Sequence, residues 1–148
     1  VGVVWKQDAM RTKEQILLDN GLAYQKAITS YYENNPSGLQ QLPKKLEDLL
    51  LDKRYPNVKR HIRRLYENPI TPKTGWTLIR EQGRIKGVST DSDLKPIKKK
   101  GFPKGFEAFE KAETYADWQF LFQDPNTNPQ NQIPNQANPI NNSSNPFQ

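Results

Sequence analysis

One amphipathic pattern, running from Lys6 to about Asn34, constrains the fold more than any other feature of the chain. Its apolar residues recur at helical spacing and are densest in the second half: Ile16, Leu17, Ala23, Tyr24, Ala27, Ile28, Tyr31 and Tyr32. This period predicts one long helix with an apolar face about two residues wide, with Glu14 and Gln25 off that face. Gly21 inside the helix costs about 1 kcal/mol relative to alanine. The run Asn-Asn-Pro-Ser-Gly at 34–38 ends the helix, because proline disfavours helix at the residue before it.

Two shorter helices are predicted after the long one. The segment LPKKLEDLLLDKRYP begins with Pro43 in its first turn and has an apolar side formed by Leu42, Leu46, Leu49 and Leu50. The next segment, YPNVKRHIRRLYENPITP at 55–72, spaces Val58, Ile62 and Leu65 as one helical stripe. The basic residues around His61 would then face away from that stripe. His61 itself is expected to be a surface residue of this helix without a carboxylate to orient it.

Three strands are predicted in the second half of the chain. The runs WTLIRE and RIKGVST are joined by Gln82 and Gly83, which is typical of a tight hairpin. In YADWQFLF, residues 115–122, aromatic residues alternate with other side chains as in a third strand. The sequence therefore predicts an α+β fold, in which a long N-terminal helix packs on a small three-stranded antiparallel sheet with a helical or loop connection between them.

The ends of the chain differ in composition from the folded part. Residues 124–148 are dominated by Asn, Pro and Gln, and their few apolar side chains cannot offset the entropy of ordering them. We therefore expect a tail at 124–148 and a folded domain at 6–123. Residues 1–5, VGVVW, are interpreted either as the end of a hydrophobic segment with Trp5 at a membrane interface or as a cloning remnant.

Composition narrows the classes of function. The chain has 148 residues, a net charge of +6 and no cysteine, so it has no disulfide, thiolate metal site or cysteine nucleophile. It contains a single histidine, no glycine-rich phosphate loop and no nucleophile elbow, and we expect it not to be an enzyme. The positive charge favours an anionic partner.

Two candidate sites follow from the residues themselves. In STDSD at 89–93, the oxygen atoms of Ser89, Asp91 and Asp93 are spaced to hold Ca²⁺, but such residues also commonly bind their own backbone amides in turns. The basic helix from Lys59 to Arg64 could bind phosphates, which makes a nucleic-acid-binding module the alternative function. A DNA-docking frame or an exposed aromatic sheet face for RNA is not evident in the sequence.

The order of these segments resembles a known family. RTKEQILLDNGLAYQKAITSYYE, YYENNPSG, LPKKLEDLLLDKRYP, RRLYENPITPKTGW, GVST and YADWQFLF follow one another from Arg11 to Phe122. Together they look like the soluble part of a type II secretion pseudopilin-like protein, related to the major pseudopilin in the type IV pilin superfamily. In place of the glycine and acidic run of the family's Ca²⁺ loop, this chain has KPIKKKGFPKGF, whose positive charge opposes Ca²⁺.

This resemblance implies a structural subunit of a type II secretion pseudopilus or type IV pilus-like fibre. Such a subunit is processed by a prepilin peptidase, methylated, held in the inner membrane by one N-terminal helix, and exposes its soluble domain to the periplasm. Its partners would be other pilin-like subunits and the secretion machinery rather than nucleic acid. The implied contact residues are Ile16, Leu17 and Tyr24 on the long helix and Lys59, Arg60, Arg63 and Arg64 on the basic segment.

Overall fold

The long helix predicted from the sequence is present. The computed structural model describes the backbone of residues 2–124 and the side chains of residues 6–124, so the side chains of residues 1–5 and the predicted tail beyond Asp124 lie outside the described part. Helix α1 spans Gly2–Glu33, 32 residues in one continuous element. Its core face carries Leu17, Leu18, Tyr24, Ala27, Ile28 and Tyr31. Three details of the predicted face are wrong, because Glu14 and Gln25 are buried and Ile16 is 42% exposed.

The predicted three-stranded antiparallel sheet is also confirmed. Strands β1 (Thr77–Glu81) and β2 (Arg84–Ser89) form a hairpin in which Glu81 is opposite Arg84. Gln82 and Gly83 both have positive φ, 54° and 78°, as a two-residue type I′ turn requires. Strand β3 (Phe120–Leu121) pairs with the other edge of β2, so the strand order is β1-β2-β3.

The third strand is shorter than predicted. Residues Tyr115–Asp117 form a 3-10 turn instead of extended chain, and a reciprocal cap between Thr114 and Asp117 holds it. A second 3-10 turn spans Glu107–Lys111. The two turns bring Phe109 into a stacked contact with Trp118, with ring centroids 5.4 Å apart. Tyr115, Trp118 and Phe120, which were all predicted for the third strand, are instead all buried in the core beside Phe109.

The predicted basic helix does not exist. Helix α2 is a single turn, Glu47–Leu50, and residues 51–76 contain neither helix nor strand. The backbone doubles back on α2, since the amides of His61 and Ile62 both donate to the carbonyl oxygen of Leu49. The predicted stripe is broken as well: Ile62 is buried, but Val58 is 75% exposed. The spacing of these apolar residues was coincidental.

Candidate functional site

A buried polar cluster joins the end of α1 to the segment after α2. We call it the C-terminal cluster, and it consists of Ser30, Asp52, Arg54 and His61. Arg54 donates from Nε and Nη2 to the two carboxylate oxygens of Asp52, at 2.8 and 2.7 Å. His61 Nε2 lies 2.8 Å from Asp52 Oδ2, and its Nδ1 lies 2.7 Å from the hydroxyl oxygen of Ser30. The cluster fixes residues 52–61 against the helix.

The cluster also binds the C-terminus of α1. Arg54 Nη2 donates to the carbonyl oxygen of Tyr31 at 2.7 Å, and its guanidinium carbon lies 3.5 Å from the centroid of the Tyr31 ring. Helix α1 has no basic residue in its last turn, so Arg54 supplies from outside the positive charge that a helix C-terminus favours. Burial alone would raise the pKa of Asp52, but hydrogen bonds from Arg54 and His61 outweigh it and lower that pKa to about 2.

His61 is not the surface residue that the sequence predicted. Its side chain is fully buried, and Asp52 supplies the orienting carboxylate that was not expected. Ser30, His61 and Asp52 follow one another as in a hydrolytic triad, where the hydroxyl must be open to substrate. Here the Ser30 hydroxyl also accepts a hydrogen bond from the side-chain nitrogen Nδ2 of Asn34 at 3.4 Å, and neither surface pocket described below includes these residues. The arrangement bridges two parts of the fold.

The four basic residues predicted as a contact surface lie on irregular chain. Arg60, Arg63 and Arg64 are exposed, and Lys59 is half-buried. Lys59 Nζ lies 5.7 Å from the centroid of the Tyr55 ring, and the guanidinium carbon of Arg64 lies 5.2 Å from that of Tyr66. In the part of the chain that the structure describes, none of the four forms an ion pair with another side chain. Their charges are open to a partner, but they do not share one helix face.

The three helix residues predicted as contacts have different environments. Leu17 and Tyr24 are buried within the domain itself, so they offer no surface to a partner and that part of the prediction is corrected. The Tyr24 hydroxyl donates to the carbonyl oxygen of Tyr66 at 2.9 Å and accepts from its amide at 2.8 Å. Ile16 is exposed and lines an open pocket of about 450 Å³ with Asn20, Arg64, Leu65, Tyr66, Glu67 and Pro69.

The buried carboxylate of Glu14 joins α1 to a distant loop, although the sequence pattern predicted this residue to lie off the apolar face. Glu14 accepts hydrogen bonds from the amides of Ile97 and Lys98, at 2.7 and 3.1 Å, and from the Tyr115 hydroxyl at 2.7 Å. We call this arrangement the Glu14 clamp. A sequence signal for it existed, because Glu14 precedes Leu17 and Leu18 by three and four residues and so lies on their face of the helix. Burial is the largest cause that raises the pKa of Tyr115, and the hydrogen bond to the Glu14 carboxylate raises it further.

Of the predicted Ca²⁺ residues, Ser89 is the last residue of β2, and Asp91 and Asp93 lie on the chain that follows it. Ser89 is buried, whereas Asp91 and Asp93 are exposed. The two hydroxyl groups between these residues form hydrogen bonds within the domain. Thr90 Oγ1 accepts from the side-chain Nδ2 of Asn68 at 2.9 Å, and Ser92 Oγ accepts from the backbone amide of Leu94 at 3.2 Å. Within residues 2–124, no group of three or more His, Cys, Asp or Glu side chains is placed to hold a metal ion. Ca²⁺ binding here remains a prediction.

Near its N-terminus, α1 is largely exposed to solvent. From Lys6 to Lys13 every residue is exposed except Met10, which is half-buried and packs on the core. Continuous burial on one side begins at Glu14. With a rise of 1.5 Å per residue, the helix from Gly2 to Lys13 is about 18 Å long. We call residues 6–13 the bare stretch.

Comparison with known proteins adds no relative. No family model, no curated protein and no solved structure matches the chain. In the described residues, no helix is both long enough and apolar enough to cross a bilayer.

Proposed function

We propose that this chain is a structural subunit of a pilin-like fibre, of the type II secretion pseudopilus or type IV pilus kind, and that it assembles by packing of α1. The observation that carries the proposal is the continuity of α1: in one helix of 32 residues, one side is buried in the domain from Glu14 onward, whereas residues 6–13 are exposed apart from the half-buried Met10. A long helical spine with a small antiparallel sheet on one end matches the architecture that the resemblance implies.

The bare stretch supports assembly through helices. Isolated helical segments shorter than about 12–15 residues are marginal in water, so a helix that leaves its domain is stabilised by whatever it packs against. The residues before the bare stretch are VGVVW, an apolar sequence suited to a bilayer or to neighbouring helices. Because Leu17 and Tyr24 are buried in the domain, subunit contacts on α1 would come from Ile16 and from residues nearer the N-terminus.

A cross-linking experiment on the complete product of the native gene tests this proposal. The 148 residues contain no cysteine, so once any cysteine encoded outside them is replaced by serine, a single introduced cysteine reports on one position only. Arg11→Cys in the bare stretch should cross-link subunits in the membrane fraction, whereas Lys73→Cys in the loop before β1 is the matched exposed control. Protein that remains in the soluble fraction and forms no Arg11→Cys cross-link would refute the proposal.

The gene itself supplies an independent check. On this proposal, the reading frame upstream of Val1 encodes a short basic leader, a cleavage site and about 20 apolar residues, the length that crosses a bilayer as a helix. A start codon at or just before Val1 would instead favour the nucleic-acid-binding alternative. That alternative lacks the helix on which it was based, because residues 59–64 are irregular.

A further inference from the structure

A lysine-rich loop lies where the bare stretch of α1 meets the domain. Residues 95–100 read KPIKKK, four lysines without an acidic residue, and we call them the lysine loop. Lys95, Lys99 and Lys100 are exposed, and Lys98 is half-buried with Nζ 5.5 Å from the centroid of the Phe102 ring. Within residues 6–124, none of the four forms an ion pair. Four positive charges are therefore left without a countercharge in contact.

The Glu14 clamp determines where these charges lie. It holds the amides of Ile97 and Lys98 on α1, at the first residue of the covered half. Arg11 and Lys13, both exposed, add positive charge at the same level of the helix. Besides Glu14 itself and Asp93 just before the loop, the acidic residues near it are Glu110 and Glu113, which line a pocket of about 480 Å³ with Lys95 and Lys99. Asp8 is the acidic residue of the bare stretch. Basic residues outnumber these acids.

The distance from this level to a membrane is short if α1 is the membrane anchor. Nine residues separate Trp5 from Glu14, which is about 14 Å along a helix. The headgroup layer on each side of a bilayer is about 6 Å thick, so about 8 Å remain when Trp5 lies at the boundary of the hydrocarbon. Electrostatic attraction acts over about 8 Å at physiological salt, and lysine side chains shorten the gap further.

We infer that the lysine loop binds anionic phospholipid headgroups of the membrane that holds α1, and so seats the domain on the membrane surface. This inference rests on the proposed function, because the anchor brings the loop to the membrane. The chemistry fits lipid better than nucleic acid: lysines are point charges, and the neighbouring aromatic rings of Phe102 and Phe106 are buried and offer no face on which a base could stack.

Vesicle binding by the 148-residue chain tests the surface without requiring the anchor. The probe is phosphatidylcholine vesicles with about 30% phosphatidylglycerol, with pure phosphatidylcholine vesicles as the neutral reference. We expect binding to the anionic vesicles only, and weaker binding as salt rises. The triple variant Lys95→Gln, Lys99→Gln, Lys100→Gln should lose on the order of 100-fold in affinity, at about fivefold per lysine.

A second triple variant controls for net charge. Lys53→Gln, Arg60→Gln and Arg63→Gln remove the same charge from exposed positions near the C-terminal cluster, about 16 residues further along α1. Vesicle binding by this variant should fall less than threefold. Equal losses in the two triple variants, or no binding of the parent chain to anionic vesicles at low salt, would overturn the inference. Circular dichroism establishes that both variants are folded.

Two further measurements separate the possible failures. In the membrane-embedded product of the native gene, a fluorophore on Lys99→Cys should be quenched by headgroup-labelled lipid, and one on Arg60→Cys should not. An embedded protein without quenching at position 99 refutes the lipid contact but leaves the fibre proposal intact. A labelled oligonucleotide that binds the same lysines more tightly than anionic vesicles would overturn the inference in favour of nucleic acid.

Discussion

The ring of Phe120 fills the space in which a side chain at Gly21 would begin. A Cβ atom at position 21 would lie 2.4 Å from Cδ2 and Cε2 of that ring, far inside van der Waals contact. The glycine therefore lets β3 approach α1 closely, at the cost in helix propensity that its sequence position implies. Helix and sheet meet through this pair.

Gly21→Ala should destabilise the domain even though alanine favours helix. Overpacking a core typically costs about 1–3 kcal/mol, and here the obstacle is a rigid ring in the centre of the fold. Urea unfolding of the single variant and of Gly21→Ala with Phe120→Leu measures the effect. The smaller leucine should recover part of the loss in a double-mutant cycle. A Gly21→Ala variant as stable as the parent would contradict this account.

Glu14→Gln should destabilise the domain by about 1–3 kcal/mol, because an amide group replaces one of the oxygens that now accept hydrogen bonds and leaves a buried donor unpaired. Tyr115→Phe removes only the hydroxyl contact and should cost less. Glu33→Gln is the matched control, since Glu33 is an exposed carboxylate on the same helix and its loss should change stability by no more than about 0.5 kcal/mol. Equal effects of the two glutamate variants would show that the clamp contributes nothing.

Acid should weaken the C-terminal cluster over a defined range. The pKa of Asp52 is about 2 in the folded protein, against 3.8 for an unperturbed aspartate. A lowered pKa contributes stability above pH 4, and this contribution is lost as pH falls from about 4 to about 2. Its size is about 2 kcal/mol.

Asp52→Asn tests that contribution. The difference in unfolding free energy between the parent and this variant should shrink as pH falls from about 4 to about 2. Asp91→Asn, which alters an exposed carboxylate, should retain the acid dependence of the parent. A difference between parent and Asp52→Asn that is constant with pH would rule out titration of Asp52 as the cause.

Alkali should weaken the core through its buried phenols. Burial raises the pKa of Tyr24 from 10.0 to about 12, and burial also raises that of Tyr115. Because both values are raised, the stability they contribute is complete below pH 10 and is lost as pH rises through the folded-state values. Burial raises the pKa of Tyr31 as well, so absorbance of tyrosinate during a pH titration should show three late phenols, and Tyr24→Phe should remove one of them. Ionisation of all six tyrosines of the folded protein with a single midpoint near pH 10 would contradict this expectation.

The sequence predicted those elements whose cause is local. The hairpin follows from Gln82 and Gly83, which adopt the positive φ that a two-residue turn needs, and α1 follows from a helical period repeated over many residues. The third strand was predicted too long because Thr114 and Asp117 form a reciprocal cap, whose effect depends on a turn that alternation of side chains does not reveal.

The site was harder to predict because its contacts are distant in the chain. The stripe of Val58, Ile62 and Leu65 had helical spacing, but the amides of residues 61 and 62 bond instead to Leu49, and Asp52 draws His61 inward. Nothing local marks Asp52 as the partner of a histidine nine residues away. Glu14 was different, since its helical phase with Leu17 already placed it on the core face.

The bare stretch of α1 is continuous with the covered half, and this makes rotation as important as length. Each residue inserted between Lys6 and Lys13 would turn the sheet by about 100° around the helix axis and lift it by about 1.5 Å relative to whatever holds the N-terminal end. Inserting one residue would point the lysine loop in a new direction, whereas inserting seven, about two turns, would nearly restore its direction about 10 Å higher. The length of residues 6–13 thus sets both the direction of the lysine loop about the helix axis and its height along that axis, and insertions of different length would change the two separately.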